Sequence, residues 1–427
     1  PPQTVVQNNQ LLIFYYQAQE DHSIKLFVAA IDPETLKETS TQELYTMTER
    51  NVGLFNLESA MEGNKLKLWR SPDQTQLLVS QSGNTNEVYT CILNSNNQVT
   101  KPIVSVIKNK QSFAINNTFI DDAGNKYLSY TYTLNKLNKR GVLLQTNQGK
   151  ESYIDFNTGQ SQWESNTLNF HLSNDHTKMF VYANYYGDYM DEGVLLSTID
   201  AQRLAFGTVQ LFGYTADIRE NMNRLGFGSK NKGNLTVNRI EYTCSELEDG
   251  TLALTGYPSF TQTATYTSGG GTTAIGTSMP STSHTVTRSE AGPVVNVFIK
   301  DGQGNFGLLY RRLGNSDAAG FIVVPYKQTL VCFYCDSKKN LEYGNEEKVK
   351  TEDNAAKLVL VQAVIRSDGS LLSRQEIAGD PVGSNYYFLD YNQHTAKNTF
   401  ILPIGRQRMN MTRYFTEIVQ WATITLN

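Results

Sequence analysis

Four cysteines, Cys91, Cys244, Cys332 and Cys335, are the most nucleophilic side chains the sequence offers. Cys332-Phe-Tyr-Cys335 has the spacing of a redox pair. Such a pair wants a helix N-terminus to depress a thiol pKa, yet these two stand in TLVCFYC, a run that reads as a strand. Residues three apart in a strand point to opposite faces. A zinc site needs two further ligands, and Cys91 and Cys244 fall in distant segments. Two packed core thiols are expected. A second cluster sets Asp188, Asp191 and Glu192 among Tyr185, Tyr186 and Tyr189. Carboxylates gathered on a loop hold hard cations such as calcium, and tyrosines beside carboxylates stack on and hydrogen-bond sugars. The D-x-D-x-D-G order of an EF-hand loop is missing, so a ligand or partner contact and a merely solvated loop stand beside calcium as readings. No metal and no cofactor are expected. The Gly269–Gly271 run is followed by neither Lys-Ser/Thr nor a helix, as a phosphate loop requires; it reads as a flexible Ser/Thr-rich segment. His22, His171, His176, His284 and His394 form no H-x-x-x-H, and no G-x-S-x-G occurs, so zinc-protease and serine-hydrolase signals are both missing.

The elements that carry these residues are almost all strands. The 427 residues are 39% hydrophobic and 18% charged, with 24 Tyr and 19 Phe, far too many aromatics for a disordered chain. A net charge of −4 gives no basic footprint for nucleic acid. No apolar run approaches the ~18–20 residues of a membrane span. Low cysteine usage argues against a disulfide scaffold. The opening PPQTVVQNNQ fits a chain whose leader was removed, and a trimmed start as well. Runs such as LLIFYYQ, KLFVAAI, TQLLVSQ, KMFVYANY and NTFILPI are β-branched and aromatic and are bounded by Asn, Asp, Gly and Ser, the strand-and-turn signal.

These runs recur as units of strand, tight polar turn and strand, each followed by a second hairpin. Repeated four-stranded units mark a β-propeller. Counting the N-terminal unit there are seven, so the expectation is one all-β domain over residues 1–427, a seven-bladed propeller of four-stranded antiparallel blades. The last unit, ending TEIVQWATITLN, supplies a third strand and no fourth. The segment Thr4–Gln7 is expected to be that fourth strand, closing the ring and removing an exposed sheet edge.

Ser71-Pro72-Asp73 before QTQLLVS, and Ser173-Asn174-Asp175 before HTKMFVYA, resemble the S-P-D-G turn of TolB-like bacterial envelope propellers; Asp121–Gly124 and Glu248–Gly250 are looser versions. The resemblance covers the turn in four of seven units and implies a propeller in a cell-envelope or secreted setting. Asp side chains cap tight turns, so Asp73, Asp122, Asp175 and Asp249 are expected to serve turns rather than catalysis.

Within a blade the one–two and three–four turns are short and share one face. The two–three loops and inter-blade links share the other and grow at about 206–236, 258–293 and 336–357, as well as at Tyr185–Glu192 and Arg406–Tyr414. Insertions on one face of a repeat scaffold mark a binding face. Tyr185, Tyr186, Tyr189, Asp188, Asp191, Arg408 and Tyr414 are the candidate contacts there. Ile218, Met222 and Leu225, at helical spacing, predict a short helix over a blade end. His171 stands on an innermost strand, where it is expected to be a satisfied structural histidine unless it faces the channel.

Together these features point to a non-enzymatic binding or assembly module of a bacterial envelope or extracellular space, secreted, periplasmic or outer-membrane associated, with a protein or glycan at the long-loop face. The alternative is a carbohydrate-active enzyme or lectin with its site at the channel mouth, where carboxylates from separate blades would meet.

Overall fold

Each blade begins where an alternating strand meets a turn whose polar side chains hold it closed. In the computed structural model these hairpins build seven antiparallel sheets, and the chain is a β-propeller. The structure describes the chain apart from residues 1–2, 21–22, 49–65, 83–85, 101, 108–110, 135–136, 157–162, 166, 188–191, 226–234, 239, 269–281, 312–319, 342–348, 350–356, 379–384, 388, 390–392, 397–398, 411–412 and 427. Two compact units divide it, Pro1–Leu211 and Phe212–Asn427.

The first unit carries blades one to four. Blade one is Gln3–Gln7, Gln10–Ala18, Ser23–Ile31 and Glu38–Thr48 in that order. Blade two is Lys67–Arg70, Leu77–Ser82, Glu87–Leu93 and Ile103–Val106. Blade three is Gln111–Ile120, Lys126–Leu134, Leu137–Gln145 and Glu151–Asp155. Blade four is Asn169–Leu172, Met179–Gly187, Glu192–Asp200 and Ala205–Phe206, widened by Trp163–Ser165 and Gln210–Gly213. The second unit carries blade five (Thr243–Glu246, Leu252–Gly256, Val294–Lys300, Gln303–Leu309) and blade six (Phe321–Tyr326, Thr329–Ser337, Leu358–Arg366, Leu371–Ala378). It ends with blade seven, in which Thr399–Asn410 pairs with Tyr386–Tyr387 and Gln393–Ala396 on one side and Arg413–Thr425 on the other.

The core lies between successive blades. Leu12, Phe14, Leu26 and Val28 of blade one pack with Leu77, Val79 and Cys91 of blade two. Phe119, Tyr127 and Val142 of blade three pack with Met179, Val181 and Leu195 of blade four. Cys332 joins the cluster shared with blade five and Cys335 the one shared with blade seven, so the two thiols point to opposite faces as the strand period requires. Neither is in a disulfide, and burial pushes the Cys332 thiol up to about 12.

The turns behave as side-chain caps. Asp73 Oδ1 accepts from the Ser71 hydroxyl at 2.5 Å and the Thr75 N–H at 3.0 Å. Asp175 repeats this with Ser173 at 2.6 Å and Thr177 at 3.0 Å, and the Ser173 hydroxyl foremost holds its carboxyl down at about 2. Asp249 accepts from the Thr251 N–H at 3.1 Å and pairs with Lys300 at 2.6 Å. Asp122 differs. Its neighbour Asp121 caps the turn through the Asn125 N–H at 2.8 Å, while Asp122 ties three blades together. Its Oδ1 accepts the Asp73 N–H of blade two at 2.9 Å, and its Oδ2 lies 2.7 Å from His176 Nδ1 of blade four.

Several expectations need correction. Gln3–Gln7 does not complete the last blade: it pairs with Gln10–Ala18 from Gln3↔Phe14 to Gln7↔Gln10. Asn8 and Asn9 both have positive φ (50° and 55°), the two-residue turn that folds a chain straight back on itself. The segment 258–293 is not an irregular loop. Ser259–Ser268 and Thr282–Ala291 form a long hairpin, which Leu235–Asn238 joins in a separate three-stranded sheet. Gly269–Gly271 lie outside the described residues. The segment Arg406–Tyr414 is likewise a hairpin, an extension of two blade-seven strands in which Arg408 is registered with Phe415 and Tyr414 with Met409. The expected helix is Ala216–Leu225, started by the Thr215 hydroxyl, which accepts the Ile218 N–H at 3.3 Å. Ile218 and Met222 are buried beneath it. No helix among the described residues is long and apolar enough to cross a membrane.

Candidate functional site

The first strand of each blade lines a propeller's channel, so the residues on these strands that do not serve the core are the ones free to meet a ligand. In blade two the parity is clear. Leu66 and Leu68 pack in the cluster shared with blade one, which leaves Lys67 and Trp69 on the other strand face. Trp69 is 42% exposed, a large exposure for an aromatic on an inner strand. Its ring sits 5.7 Å from that of Phe119 in blade three, tilted by 42°. Phe119 meets Tyr127 edge-on at 6.3 Å, and Tyr127 lies 6.1 Å from Phe170 of blade four. Aromatic contacts of this kind hold three successive inner strands in fixed relation.

Polar groups accompany the aromatics. In blade three a bulge between the Ser129 and Tyr130 registers sets Asn116 out of the ladder. Bulges re-aim side chains beside functional sites. Asn117 follows it, two residues or roughly 7 Å along the strand from Phe119. The Asn117 amide donates to Asn169 Oδ1 of blade four at 2.9 Å, and both side chains are half-buried. In blade four Phe170 and Leu172 pack in the core, so Asn169 and His171 share the opposite strand face. The His171 ring stacks on Phe180 at 6.4 Å. Burial holds its pKa down at about 4, so the imidazole is neutral at neutral pH. Its Nε2 is buried and has no hydrogen-bond partner among the described residues. His171 is therefore not the satisfied structural histidine expected of it.

The first strands are poor in carboxylates. Among their described residues, from Gln3–Gln7 to Tyr386–Tyr387, Glu246 of blade five is the sole Asp or Glu.

The long-loop candidates disperse. Tyr185 is 2% exposed and belongs to the core shared with blade three, registered opposite Gly193. Tyr186 is half-buried and registered with Glu192 and Glu164. Asp188, Tyr189 and Asp191 lie outside the described residues. Arg408 and Tyr414 stand at successive rungs of the blade-seven hairpin. Sequence reasoning passed over Trp69, Asn117 and Asn169. The signal was present in Leu66-Lys-Leu-Trp69, whose alternation puts Trp69 opposite two core leucines.

No protein-family model and no curated protein matches the chain. Solved structures similar to it include an alpha-L-arabinofuranosidase of Fusarium graminearum in complex with arabinobiose, at 9% identity and a TM-score of 0.38, covering 81% of this chain and 89% of that one. Another is an endo-1,5-alpha-L-arabinanase of Thermotoga petrophila, at 11% identity and a TM-score of 0.27, covering 99% and 94%. A third is an apocarotenoid oxygenase of Synechocystis, at 10% and 0.32 to 0.33 with its chimera, covering 94% and 67%. These likenesses concern the fold and assign no role to any residue here. They do not support the first functional expectation: glycoside hydrolases are among these similar structures and an assembly module of a bacterial envelope is not, so that expectation is not retained.

Proposed function

We propose that the chain is a carbohydrate-active β-propeller that engages a glycan along the first strands of blades two, three and four. One observation carries the reading: an exposed indole, Trp69, stands on the inner strand next to one bearing an amide pair that bridges two blades, Asn117 and Asn169. A sugar ring presents an apolar C–H face and a rim of hydroxyls. An indole supplies a flat apolar platform with a polar N–H. Carboxamides donate and accept at once, which matches hydroxyls that do the same. The neutral His171 imidazole offers a further buried nitrogen for such a hydroxyl. Sites of this sort combine apolar walls with a few placed polar groups.

The test is titration calorimetry with a panel of neutral pentose and hexose oligosaccharides, with reducing-end release followed in parallel. Wild-type chain should bind at least one member. Trp69→Ala should weaken that binding at least about tenfold, equivalent to ~1.4 kcal/mol, in a chain that stays folded and loses only the stability of the Phe119 contact. A panel with no binder, or a Trp69→Ala chain that binds as wild type does, would sink the reading.

A further inference from the structure

Blades two and three meet through surfaces that are mostly apolar. Leu78, Val88 and Ile92 of blade two pack against Ile120, Leu128 and Leu143 of blade three. Strand alternation carries polar residues onto the same two surfaces. Ser80 follows Leu78 by two positions in its strand, and Thr90 lies midway between Val88 and Ile92. Lys126 precedes Leu128 by two, and Gln145 follows Leu143 by two. All four are shut off from solvent: Ser80, Thr90 and Gln145 are 0% exposed and Lys126 is 3% exposed.

Register fixes where they stand. Ser80 is opposite Thr90 in blade two, and Lys126 is opposite Gln145 in blade three. The Thr90 hydroxyl donates to Gln145 Oε1 at 2.8 Å, which joins the two rungs at their third strands. Ser80 and Lys126 lie one strand further in on either side, so they face each other across the same gap. The Lys126 charge is felt by the Cys91 thiol of blade two, so its ammonium reaches toward that blade. Ser80 Oγ is buried with no hydrogen-bond partner among the described residues. Lys126 Nζ enters no hydrogen bond and no ion pair among them. Glu151, the carboxylate its charge feels, accepts instead from the Ser105 hydroxyl and from Gln145 Nε2. A second cation adjoins them. Lys67, half-buried and opposite Ser80 on the first strand, also pairs with no carboxylate among the described residues.

We propose that Ser80, Lys126 and Lys67 hold a small monovalent anion, chloride, between blades two and three. A buried ammonium is costly unless a counter-charge meets it, and a buried hydroxyl is costly unless it is bonded. One anion answers both, accepting from the Lys126 ammonium and from the Ser80 hydroxyl. It also offsets the positive charge that Lys67 adds to the same rung. The ion is singly charged because the surrounding surfaces are Leu78, Ile92 and Ile120, and the desolvation cost climbs steeply with each further charge. Because its ligands come from two blades, the ion ties them together, and only the folded chain binds it.

Thermal melting of the full chain tests this, with sodium gluconate exchanged for sodium chloride at constant ionic strength over about 1 to 200 mM chloride. Binding confined to the folded state raises the midpoint by mass action, here by at least about 2 °C. Lys126→Met keeps the length of the side chain and removes the charge, and should show no chloride-dependent rise. Ser80→Ala removes a hydroxyl that bonds nothing else among the described residues; it should fold and need at least about tenfold more chloride for the same rise. It serves as the second variant should Lys126→Met fold poorly. Crystals soaked in bromide should show an anomalous peak in contact with Lys126 Nζ and Ser80 Oγ. A chloride-dependent rise that both variants retain unchanged overturns the proposal, as does ordered water in place of bromide at these two atoms. A bromide peak with no rise in solution is binding at crystal concentration only, and overturns it as well.

Discussion

Replacing Asp336 by Asn should leave the chain increasingly more stable, relative to wild type, as pH rises. Asp336 is the last residue but one of the second strand of blade six and is wholly buried. Its Oδ1 accepts from the Ser337 N–H at 2.8 Å and from Asn340 Nδ2 at 2.7 Å. Its Oδ2 is buried with no hydrogen-bond partner among the described residues. Burial pushes the carboxyl up to about 6, against the opposing hydrogen bonds from Asn340 and Ser337 and the charges of Arg374 and Arg311. An unfolded Asp titrates near 3.8. Between these values the folded state binds more protons than the unfolded one, so stability falls as pH rises through that window and levels off above it. The gap of about two units corresponds to a ceiling of about 3 kcal/mol at ~1.4 kcal/mol per unit. Asn keeps the Oδ1 acceptor for both donors and carries no charge. Its NH2 takes the place of the unpartnered Oδ2 and needs an acceptor of its own, which offsets ~1–2 kcal/mol. Asp336→Asn should therefore be slightly less stable than wild type near pH 4 and more stable by about 1–2 kcal/mol near pH 8. Urea midpoints at four pH values between those limits give the difference directly. A difference that does not change with pH, or one that turns against the variant as pH rises, refutes the reasoning: the two guanidiniums would then outweigh burial and hold the carboxylate charged.

Three further outcomes follow from other parts of the molecule. Ser71→Ala, at a wholly buried hydroxyl that accepts the Gln76 N–H at 3.0 Å and donates to Asp73, should cost about 1–2 kcal/mol in urea unfolding; no loss would remove the cap from the account of the turn. Gly141→Ala would drive a Cβ into the Tyr130 hydroxyl and to 2.5 Å from the Ile154 carbonyl oxygen. Tyr130 is buried and donates to Asp155 at 2.9 Å, so overpacking should lower stability by about 1–3 kcal/mol, visible as an earlier thermal midpoint; an unchanged midpoint would show that the strands yield freely there. Cys332 and Cys91, both buried with thiols held up near 12, should resist alkylation in the native chain at pH 8 and react on unfolding. Rapid native labelling of either would contradict their packing.

The propeller was legible in the sequence because its signal is local and repeated. Alternating runs such as Leu77–Ser82 and Met179–Gly187 declare strands, and Ser-x-Asp turns declare hairpins. The packing of Cys332 and Cys335 on opposite faces followed from strand period alone. The failures have a common physical cause. Asn8-Asn9 went unremarked, although two residues that tolerate positive φ are a hairpin signal in their own right; missing that turn gave Gln3–Gln7 the wrong partner. The strands Ser259–Ser268 and Thr282–Ala291 are almost free of aliphatic residues, so a Ser/Thr-rich composition hid a regular ladder. Tyr185 was assigned to a rim by its place near a loop, whereas its register opposite Gly193 gives its bulk room in the core.

The inner-strand candidates were hidden for a different reason. Trp69, Asn117, Asn169 and His171 stand some 50 residues apart from one blade to the next. No spacing rule joins them; only the ring-wise adjacency of first strands does. In a repeat fold, chemistry is assembled across units, and the residues to look for are those that break a unit's own pattern. Trp69 breaks it by exposure where an inner strand buries aromatics, and His171 by a desolvated nitrogen with no partner among the described residues. Both departures cost stability, since an exposed indole forgoes burial and an unpartnered buried nitrogen forgoes a hydrogen bond. A glycan laid across these strands would recover both at once, covering the indole and giving the imidazole a hydroxyl. Ligand binding confined to the folded state raises the melting temperature by mass action, so a bound oligosaccharide should stabilise wild type and leave a Trp69→Ala, His171→Ala chain unmoved. A double variant stabilised as much as wild type would place the glycan elsewhere on the molecule.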